Sequence, residues 1–173
     1  MSATDAAKAA NPLLATWTGP YGGVPAFAKV KVEHFKPALE HAMHEHRHEI
    51  AGIADNPDAP TFENTIAALE DAGRTMDRVE TIYGVWSSTM NDDAFKAVEQ
   101  EMAPKLAAFQ DEIVQNVNLY KRVEAIYQSP EKAKLTPEQQ RLVWRHWNTL
   151  VRAGAKLDAP AKKRLTEINQ RLA

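Results

Sequence analysis

The sequence predicts an all-α fold: a bundle of five or six helices preceded by an extended N-terminal arm. Apolar residues recur at three- and four-residue steps along most of the chain, which is the spacing of one face of an α-helix. Groups rich in proline, asparagine and aspartate separate these periodic segments. No segment of useful length alternates apolar and polar residues as a half-buried strand does, so we expect helices packed on helices.

Composition and charge narrow the class of protein. The 173 residues suit one domain or part of a larger one, and 44% apolar with 25% charged residues is typical of globular proteins. The formal net charge is −2 and the 21 basic residues are scattered, so nucleic acid is not expected as a partner. The chain has no cysteine, which excludes a disulfide framework and a thiol nucleophile.

The N-terminal stretch 1–10 is small and polar, without the apolar segment that a secretory signal requires. We expect it to be a disordered tail. No window approaches the about 20 apolar residues of a membrane span, so no membrane is expected as a partner. A cytoplasmic location is therefore the expectation, and a periplasmic one stays open because a signal removed earlier would leave no trace.

Residues 11–32 are expected to form an extended arm, since glycine and proline occur there too often for a helix. Apolar side chains should pack this arm along the helices. The five predicted anchors are Leu13, Leu14, Trp17, Val24 and Phe27.

The helical domain is expected from residue 33 to residue 173. Its first helix, 33–54, tolerates Pro37 because this proline lies in the first turn. His46 falls on the apolar stripe of this helix. The other histidines of the helix fall on the polar side: His34, His41, His44 and His48.

Turn signals set the limits of the later helices. Residues 56–60 end the first helix, and Thr61 should cap a long second helix that runs to about Thr89. Asn91 to Asp93 should start a third helix that reaches residue 117 and is kinked or broken at Pro104.

Three signals define the last helices. Asn118 should cap a shorter fourth helix, which Ser129 and Pro130 end. Thr136, with Pro137 next and Gln139 in the capping-box position, should begin the fifth. Asp158 should cap the last helix, in which no glycine or proline follows as a stop signal, so we expect a chain truncated within that helix.

Residues 44–48 spell H-E-x-x-H, the zinc-peptidase signature, in which His44 and His48 would bind the metal and Glu45 would act as general base. Glu63 or Glu70 would be the third ligand. Three observations oppose this: both histidines lie opposite the apolar stripe, Arg47 adds a positive charge inside the motif, and the whole turn is charged.

The motif is therefore interpreted as a chance match on a solvated helix face. No catalytic, cofactor-binding or metal-binding residue is assigned in this chain. A weak, adventitious metal site at His44 and His48, with His41, remains an alternative because two histidines spaced by four can chelate a transition metal. His46 is interpreted as a partly buried histidine with a hydrogen-bonded ring.

The sequence signals for other catalytic residues are weaker. Ser87 and Ser88 have no adjacent base at a spacing that would activate a nucleophile. The acidic pairs Glu99/Glu101 and Asp111/Glu112 are interpreted as solvated helix faces. Trp144 and Trp147, three residues apart, indicate core or a domain interface. Spacing and composition alone thus predict a helical bundle without an assigned activity.

The block from Asn56 to Glu70, NPDAPTFENTIAALE, resembles a characteristic stretch of the thimet oligopeptidase family, most closely its bacterial peptidyl-dipeptidase branch. Four more blocks resemble the N-terminal region of that family in the same order. They are Asn11–Leu14, Pro25–Phe27, Glu33–Ala38 and Arg152–Leu157. The resemblance covers the chain from about Asn11 to Ala173.

This resemblance implies an all-helical N-terminal part of a longer zinc metallopeptidase, forming the wall or lid of a channel that admits short peptides. The complete protein would hydrolyse such peptides, releasing C-terminal dipeptides. One zinc ion and the general base would be held by a later H-E-x-x-H and a following Glu, outside this chain. The expected partners are the catalytic domain of the same polypeptide and short peptide substrates, and the 173-residue chain alone would be inactive.

Two alternatives remain. In the first, the chain is a non-enzymatic helical interaction module, which needs an apolar groove and no downstream sequence. In the second, residues 44–48 form a local zinc enzyme, which requires one tightly bound zinc ion that is lost on His44→Ala.

Overall fold

The computed structural model describes residues 11–20 and 23–172. The predicted disordered tail, 1–10, lies outside the described residues. The described part of the chain contains six helices of 12 residues or more and no strand, which confirms the predicted all-α bundle. They are α1 (Phe35–Ala54), α2 (Arg74–Thr89), α3 (Asp93–Val114), α4 (Val117–Gln128), α5 (Pro137–Arg152) and α6 (Ala159–Leu172).

Shorter helical elements connect these helices. Short 3₁₀ turns occur at Phe27–Lys29, Val32–His34 and Pro130–Lys134. The chain divides into two compact units, which are described separately. The first unit comprises Met1–His46 and Gly73–Met102, and the second comprises Arg47–Ala72 and Ala103–Ala173. No helix in the described residues is both long and apolar enough to cross a membrane.

An aromatic cluster forms the centre of the first unit. The rings of Tyr83, Trp86 and Phe95 lie 5.1 to 5.9 Å from the ring of Phe35, each edge-on to it. Phe35 and Phe95 are fully buried. Edge-to-face contacts of this kind add to the stabilisation that burial of the ring area gives, so this cluster fixes α1, α2 and α3 within the unit.

The arm is only partly anchored as predicted. Leu13 and Leu14 are buried, but Val24 and Phe27 are 51% and 45% exposed. Phe27 opens a 3₁₀ turn in which no residue is buried. The side chain of Asn11 accepts the N–H of Leu13 and donates to the carbonyl of His34 at 2.9 Å, which ties the start of the arm to the start of α1.

The long second helix predicted from Thr61 to Thr89 is wrong. Thr61 does cap a helical segment, but Phe62–Ala67 is a π-helical turn and Ala68–Asp71 a single α-helical turn before the break. Gly73 has φ +81°, in the left-handed region, and α2 begins after it. A Cβ at this position would lie 2.7 Å from Cε1 of His46, so both the backbone and the packing require glycine.

Two further predictions for the helix limits are corrected. Of the two alternatives predicted at Pro104, a kink or a break, the break does not occur, because α3 continues through this residue. Since Pro104 is exposed, the carbonyl that loses its helical partner can bind water. The cap of α4 is Asn116, whose side chain accepts the N–H of Leu119, and not Asn118. The predicted starts at Thr136 and Asp158 are confirmed by their capping hydrogen bonds.

The second unit has a continuous apolar core. Its buried members come from α1, the 62–71 segment, α3, α4 and α5, and include Ile50, Ile66, Leu119, Val123, Val143 and Leu150. Trp147 packs against this core with its ring stacked on Tyr127 at 4.2 Å. The core therefore places α4 at the centre of contacts with α5 and with the 62–71 segment.

Candidate functional site

The H-E-x-x-H motif lies on α1, with His44 and His48 exposed and His46 half-buried. The ring of His46 packs against Gly73. Arg47 lies over the ring of Phe109 and donates to Glu112 at 2.8 Å. The carboxylate of Glu112 therefore offsets the charge of Arg47.

The candidate third ligands do not complete a metal site. Glu70 bonds to Nε2 of His146 at 2.7 Å, and Glu63 lies at the mouth of a pocket. Among the described residues no three His, Asp or Glu side chains are grouped so that they could hold a metal ion. The donor set at residues 44–48 does not fit catalytic zinc, which needs three protein ligands and a shielded cleft.

The acidic pairs have specific partners. Glu99 accepts hydrogen bonds from Ser87 and Asn91, and Glu101 pairs with Lys36 at 2.6 Å. Asp111, which was predicted to lie on a solvated face, is instead only 7% exposed and accepts the amide of Asn169. The prediction failed because α6 packs beside this turn of α3, which sequence spacing does not reveal.

A buried arginine organises the block that carries the family resemblance. Arg122 lies on α4 and is 7% exposed. Its Nη1 donates to the carbonyls of Asn56 and Asp58 at 2.7 and 2.9 Å. Its Nη2 donates to Oδ1 of Asn64 at 3.0 Å, and its Nε to Oγ1 of Thr65 at 3.3 Å.

Asn64 is the second centre of this site. Its Oδ1 also accepts the N–H of Thr61 at 2.8 Å, and its Nδ2 donates to the carbonyl of Ala59 at 3.0 Å. Oγ1 of Thr61 accepts the N–H of Asn64 in return, which completes a capping box. The turn 56–60 and the helical start that follows it are thus held by one arginine and one asparagine.

A second polar cluster on α4 holds the block Arg152–Leu157. Glu124 accepts a hydrogen bond from the hydroxyl of Tyr120 and pairs with Nζ of Lys156 at 3.2 Å. The ammonium group of Lys156 also lies 5.5 Å from the ring of Tyr120 and 5.6 Å from that of Trp147. This is within the range of cation–π attraction.

The pKa shifts of this cluster follow from its contacts. The hydrogen bond from Tyr120 and the ammonium of Lys156 lower the pKa of Glu124, because both favour the carboxylate. Burial, followed by the contact with Glu124, raises the pKa of Tyr120. Hydrogen bonds to Tyr120 and to Glu124 raise the pKa of Lys156. These directions favour a carboxylate at Glu124, an ammonium at Lys156 and a neutral hydroxyl at Tyr120.

A pocket of about 330 Å³ lies beside the Asn56–Glu70 block. It opens between residues 60–63, the end of α4 and the turn Pro130–Lys134. Its apolar lining residues are Pro60, Phe62, Ile126 and Leu135, and its polar ones are Thr61, Glu63, Ser129, Glu131, Lys132 and Lys134. Concave sites that combine apolar side chains with polar groups are the usual form of ligand-binding pockets, and this pocket has both.

Sequence reasoning missed the role of α4. Arg122 lies between Leu119, Val123 and Ile126 on the apolar stripe of this helix, and a charged residue at such a position signals a buried, hydrogen-bonded group. That signal was present in the sequence. The partners of Arg122 lie 57 to 66 residues away and could only be known from the fold.

No protein-family model matches the chain. Individual proteins do match it. It is 35% identical over 159 residues to a dipeptidyl carboxypeptidase of Escherichia coli K12, and 33% identical over 159 residues to that of Salmonella typhimurium. Both matches cover 92% of this chain and 23% of the relative.

A more distant match is oligopeptidase A of Haemophilus influenzae, which is 26% identical over 150 residues, 87% of this chain and 22% of the relative. The chain thus spans less than a quarter of the length of these relatives, in their N-terminal part. The segments that the Arg122 and Glu124 clusters contact belong to two of the five blocks that carried the resemblance. Over about 90% of its length the chain is homologous to the N-terminal part of dipeptidyl carboxypeptidase and oligopeptidase A, peptidases of the family that its sequence blocks resemble.

Proposed function

We propose that the complete polypeptide is a zinc-dependent peptidase that hydrolyses short peptides and releases dipeptides from their C-terminus. The observation that carries this proposal is the 35% identity to a dipeptidyl carboxypeptidase over 92% of the chain. We propose that the zinc ion is bound outside this chain, and this is supported by the described residues, in which no three His, Asp or Glu side chains are grouped around a possible metal position. We further propose a cytoplasmic location for the complete protein.

The proposed role of this chain is structural. Its helices would form the wall or lid of a channel for peptides, and its partner would be the catalytic domain of the same polypeptide. The contacts of Arg122 and Asn64 support this role, because their donors and acceptors bind the chain's own loop. Such a cluster stabilises a surface on which peptide can lie, without reacting with it.

The test compares two proteins. The first is the product of the complete reading frame, and the second is the 173-residue chain. Each is incubated with an N-acetylated tetrapeptide that has a free C-terminus, and the products are identified by mass spectrometry. The complete protein should release the C-terminal dipeptide, lose activity on treatment with a chelator and regain it with zinc. The 173-residue chain should show no turnover.

Three results would contradict the proposal. A reading frame without a second H-E-x-x-H would favour a helical interaction module. Release of single amino acids or of tripeptides from the C-terminus would refute the proposed specificity for C-terminal dipeptides. Zinc-dependent cleavage by the 173-residue chain, abolished by Glu45→Gln, would place the chemistry at residues 44–48 after all.

A further inference from the structure

The pocket beside Phe62 has an apolar floor that is suited to one side chain. Ile126 is 6% exposed, and Phe62 and Leu135 pack against the apolar core from partly buried positions. The volume of about 330 Å³ accommodates a leucine-sized group with part of the adjoining backbone. Burial of such a side chain is favourable because it removes apolar surface from water.

Some of the charged side chains at the pocket mouth have an oppositely charged partner and others do not. Nζ of Lys134 bonds both carboxylate oxygens of Glu131, at 2.8 and 2.6 Å. The ammonium of Lys132 lies 4.0 Å from the ring centroid of Tyr127. Among the described residues, no hydrogen bond or ion pair involves the side chain of Glu63, which is exposed. A ligand cation can therefore pair with the carboxylate of Glu63, while the ammonium of Lys132 keeps its charge and is held over the ring of Tyr127.

Two hydroxyl groups complete the lining. Oγ1 of Thr61 accepts the N–H of Asn64, and Oγ of Ser129 accepts the N–H of Glu131. Each hydroxyl accepts in these bonds, so each keeps its own proton to donate. A ligand that supplies hydrogen-bond acceptors beside an apolar side chain matches this arrangement, as the carbonyl groups of a peptide do.

We propose that this pocket binds a peptide segment in which an apolar side chain is followed by a basic residue: the apolar group enters between Phe62, Ile126 and Leu135, and the cation pairs with Glu63. The choice of a peptide rests on the proposed function. The preference for a basic neighbour rests on the uncompensated carboxylate alone.

The experiment is a titration of the isotope-labelled 173-residue chain with acetyl-Leu-Arg-amide, followed by amide NMR shifts. We expect shift changes at residues 60–63 and 126–135, with a dissociation constant of about 1 mM. Acetyl-Leu-Gln-amide, which lacks the charge, should bind about threefold to fivefold more weakly, as for a partly exposed ion pair.

Variants decide whether Glu63 is responsible. Glu63→Gln should weaken binding of the arginine peptide to the level of the glutamine peptide and leave binding of the glutamine peptide unchanged. Glu167→Gln is the matched control, because it removes the same charge from an exposed site on α6. It should change neither affinity, and the amide spectrum shows directly whether each variant remains folded.

The proposal is overturned if shift changes are absent at about 10 mM peptide or fall outside the pocket. It is also overturned if Glu63→Gln affects both peptides equally. These outcomes are independent of the peptidase assay, which uses the complete protein. A complete protein that releases dipeptides, with a 173-residue chain that binds neither peptide, would refute the pocket and leave the proposed function standing.

Discussion

Replacement of Arg122 by methionine should destabilise the second unit, because each of the four acceptors around its guanidinium would lose one hydrogen bond. The affected groups are the carbonyls of Asn56 and Asp58 and the side chains of Asn64 and Thr65. Methionine has a similar length, so the loss of packing is small. The dominant effect is therefore the loss of hydrogen bonds from a charged donor.

The magnitude follows from the burial of the acceptors. A hydrogen bond from a charged group contributes about 1.5–3 kcal/mol, but Asn56 and Asp58 are partly open to water, which will replace some of the lost bonds. Thr65 is fully buried and cannot be rehydrated. We expect a loss of about 3–5 kcal/mol, which is a large part of the stability of a typical domain.

Urea unfolding followed by circular dichroism measures this loss, and amide hydrogen exchange locates it. Arg122→Lys keeps the charge but not the fork of donors, so it should recover less than half of the stability. The control is Arg145→Met on the exposed face of α5, where the change should stay within about 0.5 kcal/mol. An Arg122→Met protein as stable as this control would refute the assignment of Arg122 as the residue that holds the 56–65 loop.

Two further predictions concern stability. Gly73→Ala should lower the free energy of unfolding by about 2 kcal/mol in thermal unfolding, because of the left-handed φ and the displacement of the His46 ring. Gly84 has open space around it, so Gly84→Ala should stabilise α2 by up to about 1 kcal/mol. Equal effects of the two substitutions would contradict the steric argument. The pKa of Glu124 is lowered on folding, so its contribution is present above the unfolded value of 4.5 and is lost as pH falls through the folded value. The difference in stability between wild type and Glu124→Gln should accordingly be constant near neutral pH and shrink below pH 4.5, and a difference that grows on acidification would show the opposite shift.

The sequence predicted the helices well where a local signal was complete. The start at Thr136 is one example, since its cap, Pro137 and Gln139 lie within four residues of one another. The prediction from sequence failed at Gly73, because a glycine inside a periodic pattern is compatible both with a continuous helix and with a break. Only the ring of His46, brought beside Gly73 by the fold, distinguishes the two.

The candidate sites also differ in whether their residues are neighbours in sequence. The pattern at residues 44–48 is fully local, and His44 and His48, which were predicted to face away from the apolar stripe, are exposed. The sites around Arg122 and Glu124 join residues far apart in sequence. The apolar stripe of α4 could have shown that Arg122 is buried, but not what it binds.

By itself the sequence determined the all-α class, most helix starts and the resemblance to a peptidase family, because helical periodicity, caps and short sequence blocks are properties of short segments. The tertiary structure determined which contacts hold two of those blocks in the fold. The Asn56–Glu70 block is held by Arg122 and the Arg152–Leu157 block by Glu124, both from α4. Such contacts depend on which helices pack together, and the burial of an apolar core, rather than any local spacing, determines that packing.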